Sequence, residues 1–207
     1  MVIFVLMSLL EIANANFLPD VIKQLDYRLF SKMNGQWHTP FFDVFLPFIR
    51  EPFLWLPFYF FLILFAVFNF KVNGFYWVLF FILNAMLSDF VSSTLIKENF
   101  IRLRPCRDPL LADQVRFLVS YCPVSSSFTS SHAANHFAAA MFIFTTFRKA
   151  ISAKWAYIFI WAFAISYAQV YVGVHFPFDI FCGAIVGVIL GYIPATIYNK
   201  KIGLLPH

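Results

Sequence analysis

Charge is what this chain lacks most. Only 12% of its 207 residues are Asp, Glu, Lys or Arg, about half the ~25% of a soluble domain. Mean hydropathy is +0.77 and 61% of residues are hydrophobic, which excludes a separate soluble domain and makes the chain an integral membrane protein. Cysteine is scarce: three residues cannot build a disulfide scaffold. The net charge of +5 comes without a continuous basic stripe, so nucleic acid is excluded as a partner. There is no internal repeat and no low-complexity tract, and one set of loops has no acidic residue.

What is present is long apolar segments. Five of them, at residues 53–70, 75–96, 130–147, 155–174 and 177–198, match the ~17–25 residues a helix needs to cross a ~30 Å hydrocarbon core. Backbone polar groups cannot go unpaired in lipid, and such unbroken apolar runs are not the alternating pattern of a barrel strand. The expected fold class is therefore all-α: a polytopic transmembrane bundle in one membrane-embedded domain, residues 1–207. Residues 1–50 form its N-terminal interfacial region and 51–200 its helical core.

Residues 2–10 are apolar but too short to span, and Ala13-Asn14-Ala15 resembles a small-residue cleavage site. A removed leader and a short, partly embedded helix both remain open, although a leader would lack its usual basic start. In residues 20–34, Val21, Leu25, Leu29 and Met33 recur at near-helical spacing, with Lys23, Asp26 and Arg28 elsewhere. That pattern predicts an amphipathic helix in the membrane interface, ended by Asn34-Gly35 and followed by an element that starts at Thr39-Pro40.

The loops set an orientation. Lys71, then Arg148, Lys149 and Lys154, then Lys200 and Lys201 fall in loops without acidic residues, which the positive-inside rule places in the cytoplasm. Helix parity then brings residues 97–129, the start of the 130–147 helix and the His175 turn together on the opposite face.

Three polar clusters fall at these ends. An ionised group in hydrocarbon costs at least ~2.5–3.5 kcal/mol, so intramembrane charge asks for a function. His175 and Asp179 are i and i+4 on one helical face, where a carboxylate fixes an imidazole's tautomer and directs its other nitrogen as base or nucleophile. Taken alone, the pair also reads as a helix cap beside an incidental histidine. His132 follows Ser130 and Ser131 at a helix start, an anion site where a histidine can protonate a leaving oxygen; plain capping is the rival reading. Lys97 and Arg104 suit phosphate oxygens, Arg104 as a planar fork, although a helix-end lysine is commonly a snorkelling anchor. His136 reads as packing, and Arg102 and Arg107 as spare cations for lipid headgroups.

Taken together, KENFIRLRP (97–105), SFTSSHA (127–133) and QVYVGVHFPFD (169–179) resemble the type 2 phosphatidic acid phosphatase family. That family includes bacterial undecaprenyl-diphosphate, phosphatidylglycerophosphate and lipid A phosphatases. The resemblance runs from Phe53 to Tyr198. It implies that His175 attacks phosphorus, supported by Asp179, and forms a phosphohistidine. His132 protonates the leaving group, while Lys97, Arg104, Ser130 and the backbone N–H of Ser131 hold the phosphoryl oxygens. It implies no cofactor and no metal. It points to a bacterial inner membrane with the site facing the periplasm or exterior. The partners are membrane lipids and a lipid phosphate substrate, with no obligate protein partner. Undecaprenyl diphosphate is the first expectation, ahead of a glycerophospholipid or lipid A phosphate. A phosphotransferase using the same histidine and a lipid-binding homologue without activity are the alternatives.

Two departures stand out. Thr129-Ser130-Ser131-His132 replaces the family's Pro-Ser-Gly-His, and Ala168-Gln169 replaces its Ser-Arg. Gln169 offers a neutral hydrogen bond in place of a charge-assisted one of roughly twice the strength, so another cation such as Arg102 is expected to compensate. Cys106 and Cys122 share the polar loop and form either a disulfide, if the compartment permits it, or two free thiols. Cys182 reads as a packing residue, and Asp89 as a structural carboxylate paired or hydrogen-bonded inside the bundle.

Overall fold

The computed structural model describes residues 18–111 and 113–205. The expectations for residues 1–16 lie outside the described residues. The described residues are helical, with no strand among them. Helix α1 (Asp20–Phe30) continues into a wider π turn, Ser31–Gln36. Thr39 accepts a hydrogen bond from the Phe42 N–H at 3.2 Å and starts α2 (Pro40–Ile49), with Pro40 where its missing N–H costs nothing. Helix α3 (Leu56–Asp89) runs on through Phe90–Ile96 to Lys97–Asn99. Helices α4 (Ser131–Ala150), α5 (Ile158–Tyr171) and α6 (Pro177–Lys201) follow.

Helix α3 is two antiparallel limbs rather than one rod. Lys71 has a left-handed φ of 53°, and there the chain doubles back. Tyr59 then meets Phe81 at 6.3 Å between ring centroids, and a Cβ on Gly74 would run into the Ala66 carbonyl. The turn at Lys71 coincides with the basic break between the first two apolar segments. Two stretches, Pro52–Asn99 and Pro177–Lys201, are long and apolar enough to cross a membrane by length and composition, and the first contains this hairpin.

Helices α4 and α6 form the tightest pair. Gly183, Gly187 and Gly191 recur every fourth residue on α6 and lie against the α4 backbone. A Cβ on Gly183 would stand 2.6 Å from the Ser130 carbonyl, and Gly187 and Gly191 would clash with the Ala134 and Ala138 carbonyls. In lipid, where apolar burial gives little drive between helices, close backbone approach through small residues is what holds them. Further along, Trp77 is buried between Phe81 and Phe147 at 5.1 and 5.0 Å, and its Nε1–H donates to Thr146 at 2.8 Å.

The two ends of the bundle differ. At one, Tyr198 donates to the Asn73 carbonyl at 3.0 Å and Asn199 to the Thr145 carbonyl at 3.0 Å. These contacts gather the Lys71 turn and the basic C-terminal ends of α4 and α6. At the other end lie the C-terminal end of α3, the N-terminal ends of α4 and α6, and the loop of residues 100–130. Within that loop a disulfide joins Cys106 to Cys122, 16 residues apart, with Cα atoms 6.1 Å apart. Closing a loop of that size contributes ~3 kcal/mol in the chain-entropy picture.

Helix α1 reverses the arrangement of a soluble amphipathic helix. Val21 is 79% exposed and Leu25 56%, whereas Asp26 is only 2% exposed and faces the protein. The apolar side is exposed and the carboxylate is drawn inward by a partner described next. The helix also runs past Asn34-Gly35 as far as Gln36. Asn34 is buried, donating to the Tyr171 carbonyl at 2.7 Å and to the Arg116 carbonyl at 2.8 Å.

Candidate active site

A cavity of about 650 Å³ opens at this end and is walled by Lys97, Arg104, Ser131, His132, Gln169 and His175 among others. The three motif stretches, far apart in sequence, therefore converge on one space. Each is carried there by a helix terminus: Lys97 by the end of α3, Ser131 and His132 by the start of α4, and His175 by the short turn between α5 and α6.

His175 is held from both sides. Arg104 Nη1 lies 3.0 Å from its Nε2, and a guanidinium can only donate, so Nε2 carries the lone pair and Nδ1 the proton. Behind Nδ1, Asp179 Oδ2 stands at 3.6 Å, and Ser127 Oγ bridges the two, 3.4 Å from Nδ1 and donating to Oδ2 at 2.5 Å. Asp179 also accepts from the Phe176 N–H at 2.9 Å. Burial pushes the His175 pKa down to about 4, against the opposing pull of Asp179, so the ring is neutral near pH 7. A neutral imidazole protonated on Nδ1, with its Nε2 lone pair accepting from Arg104, is the tautomer that an attack through Nε2 requires.

Arg104 is fixed by four further contacts. It donates to the Ser125 carbonyl at 3.0 Å, the Val174 carbonyl at 3.1 Å, Ser125 Oγ at 3.2 Å and the Ser126 carbonyl at 3.3 Å. Burial lowers its pKa to about 10, partly offset by Asp179, so it stays charged at neutral pH.

His132 lies one turn from His136, whose Nδ1 is 2.8 Å from the His132 carbonyl and whose ring packs on Trp161 at 4.9 Å. Ser130 departs from its expected place. Its hydroxyl is fully buried, accepts from the Ala133 N–H at 3.4 Å as the α4 cap, and does not line the cavity. The adjacent first-turn N–H groups of Ser131 and His132 have no intrahelical acceptor, the arrangement that suits an anion at a helix start. Gln169 is 0% exposed, and both polar atoms of its amide are buried without a partner among the described residues. Its own carbonyl accepts from the Val174 and His175 N–H groups at 3.1 and 3.2 Å, which ties it to the nucleophile's turn.

Arg102 is neither a headgroup anchor nor a substitute at Gln169. It donates to Asp179 Oδ1 and to Asp26 Oδ2, both at 2.6 Å, with its guanidinium over the Phe176 ring at 4.1 Å. Both carboxylates are buried, and burying a guanidinium is tolerable only with such partners. Sequence reasoning missed this bridge because Asp26 sits on a helix whose apolar stripe suggested an outward polar face. Asp26 also accepts from the Phe178 N–H at 2.8 Å, so α1 is clamped to the start of α6. Arg107 reaches the Cys122 carbonyl at 3.1 Å.

Asp89 also lines the cavity. Its Oδ1 lies 3.0 Å from Ser93 Oγ and accepts from Asn135 at 3.1 Å, while Ser93 Oγ is 2.9 Å from Ser131 Oγ. The carboxylate is thus hydrogen-bonded to neutral groups, and among the described residues no cation lies within salt-bridge distance of it. Among the described residues no group of three or more His, Cys, Asp or Glu is placed to hold a metal.

An apolar helical bundle with cations, histidines and a shielded His175–Asp179 pair gathered at one end has the character of a membrane enzyme acting on phosphate esters. The sequence model of the PAP2 superfamily matches residues 75–202, more than half the chain, and the chain belongs to that superfamily. It is 33% identical over 186 residues to the lipid A 4'-phosphatase of Bacteroides thetaiotaomicron, covering 87% of this chain and 80% of that protein. The lipid A 4'-phosphatase of Porphyromonas gingivalis is 30% identical over 185 residues, covering 86% and 75%. Among crystal structures, Aquifex aeolicus LpxE superposes with a TM-score of 0.62 at 28% identity, over 88% of this chain and 98% of that one. The transmembrane PAP2-type phosphatidylglycerolphosphate phosphatase of Bacillus subtilis gives 0.63 at 20% identity, over 95% and 96%, a likeness of fold. The chain is a membrane lipid phosphate hydrolase.

Proposed function

We propose that this protein removes a phosphate monoester from a phosphorylated glycolipid of the lipid A type through a phosphohistidine on His175. The observation that carries the mechanism is the His175 ring, a wall of the cavity, neutral, with Nε2 facing Arg104 and Nδ1–H backed by Ser127 and Asp179. Nε2 attacks phosphorus and the P–O bond to the lipid breaks. The leaving oxygen takes a proton from His132. Water, deprotonated by the now neutral His132, then attacks phosphorus, the P–N bond breaks and inorganic phosphate departs. Lys97, Arg104, the N–H groups of Ser131 and His132, and the Gln169 amide hold the phosphoryl oxygens. Most of the rate comes from positioning and charge neutralisation, as in phosphoryl transfer generally.

Two observations support the substrate. The curated relatives are lipid A 4'-phosphatases over most of their length, which moves lipid A phosphate ahead of undecaprenyl diphosphate. The cavity wall next to Ser131 is also rich in acceptors: the Asp89 carboxylate, and an Asn135 Oδ1 that is buried without a partner among the described residues. Sugar hydroxyls could satisfy these acceptors, whereas a polyprenyl chain has no donor beside its phosphates. The bundle crosses the membrane five times, with the basic turns in the cytoplasm and the site on the outer face of a bacterial inner membrane.

The test is phosphate release from purified enzyme in detergent with EDTA present, offering lipid A bisphosphate, undecaprenyl diphosphate, phosphatidylglycerophosphate and phosphatidic acid. The glycolipid should turn over at least tenfold faster than the others. A preference for undecaprenyl diphosphate would overturn the substrate assignment. Transfer of phosphate to a lipid acceptor without release of inorganic phosphate would make the enzyme a phosphotransferase.

A further inference from the structure

The phosphate clamp described so far holds two cations, Lys97 and Arg104, and a neutral amide at Gln169. We infer that Arg50 is its third cation, reaching the phosphoryl group from the link between α2 and α3 and supplying the charge that Gln169 does not carry. This rests on the proposal that the cavity binds a phosphoryl group.

Arg50 lines the same cavity as His132, His175, Lys97, Arg104 and Gln169. Its Nε–H is buried with no hydrogen-bond partner among the described residues. A buried donor left open costs free energy unless a ligand meets it. Gln169, fully buried, leaves both amide atoms open on the same wall. Two unpartnered polar side chains around one space call for one ligand, and the charges around it call for an anion.

The fold explains why Arg50 is there. Leu46 and Ile49 of α2 are buried against Ala168 and Tyr171 of α5, the residues that flank Gln169 in the helix. The Trp55 indole donates to the Ile49 carbonyl at 2.7 Å and pins the end of α2. Arg50, the next residue, is therefore delivered beside the position that lost its arginine. After burial and the opposing Asp179 charge, Arg50 is the next largest influence on Arg104 and lowers its pKa, as a neighbouring cation must. The other arginines of the loop are committed: Arg102 to Asp26 and Asp179, Arg107 to the Cys122 carbonyl, and Arg116 to Asp43 at 2.7 Å.

Three variants and a labelling experiment test this. Binding of orthovanadate, a phosphate mimic, is measured by calorimetry in detergent, alongside kcat and KM for phosphate release from the best lipid substrate. Arg50→Gln should weaken vanadate binding and lower kcat/KM by about 10- to 100-fold, the size of one charge-assisted hydrogen bond. Arg50→Lys should retain a larger share, and Gln169→Arg added to Arg50→Gln should recover at least tenfold. Should a variant fail to fold, the wild-type protein still decides. Vanadate should protect Arg50 from phenylglyoxal, read by mass spectrometry, as it protects Arg104. Arg50→Gln within twofold of wild type on both readouts, or Arg50 labelled equally with and without vanadate, overturns the assignment. Vanadate binding that needs Arg50 in an enzyme that hydrolyses no lipid phosphate would support the clamp while removing the proposed function.

Discussion

Replacing Arg102 by Gln isolates what the buried bridge between α1 and the nucleophile does. Arg102 is 8% exposed and stands between Asp26 and Asp179, at 2% and 0%, with both contacts at 2.6 Å. Removing the cation leaves two buried carboxylates without the ion-pair partner they share, and breaking a buried pair of this kind costs roughly 3–5 kcal/mol. At about 2–4 °C per kcal/mol for a chain of this size, the variant should unfold roughly 6–20 °C lower. The sign of the pH dependence is fixed. Burial already raises the Asp26 pKa in the intact protein, despite the opposing Arg102 charge, so loss of Arg102 raises it further. A raised carboxylate favours the folded state at low pH and costs stability as pH rises through the folded value. The deficit of Arg102→Gln should therefore narrow as pH falls from 7 toward 5, and Asp26→Asn in the same chain should recover part of it. Tryptophan fluorescence during heating in detergent reads all three proteins. A shift below 2 °C, or a deficit that grows on acidification, would refute the bridge as the support of α1.

Two further outcomes follow from the geometry. With His175 held near 4 by burial, the ring stays unprotonated across the neutral range, so kcat/KM should keep an acid limb well below the ordinary histidine value of 6.5; a limb at 6.5 assigned to His175 through its Asp179→Asn variant would contradict this. Gly187→Val places a side chain against the Ala134 carbonyl of α4 and should abolish the folded state in detergent size-exclusion, whereas Gly35→Ala, with open space around its Cβ, should leave it intact.

The sequence disclosed the elements whose signal is local. Apolar runs marked the helices, and the basic residue at the Lys71 break marked where α3 reverses. The motif residues Lys97, Arg104, His132, Gln169 and His175 were legible as a set because the order and spacing of the three motif stretches resemble one family's pattern, and all five line the cavity. What depends on tertiary pairing stayed hidden. Asp26 looked like a polar-face residue because an amphipathic pattern does not say which face meets water and which meets lipid. Arg102 looked spare because both its partners are more than 75 residues away. Ser130 looked like a ligand because a cap and an anion site share the same residue type. Arg50 carries no local signal: it lies outside every motif, and only the docking of α2 on α5 gives it a place. The glycine ladder of α6 was readable in principle, since its fourfold spacing is a known signature of close helix packing.

The central claim is that His175 carries the phosphoryl group. Rapid quenching at alkaline pH after mixing with ³²P-labelled lipid phosphate, followed by mass spectrometry of the digest, measures it directly. The account predicts label on Nε2 of His175, acid-labile and base-stable, absent from His175→Ala and accumulating when His132 is replaced by Gln and a substrate with a good leaving group is used. Full turnover by His175→Ala, or label on any other residue, would contradict it.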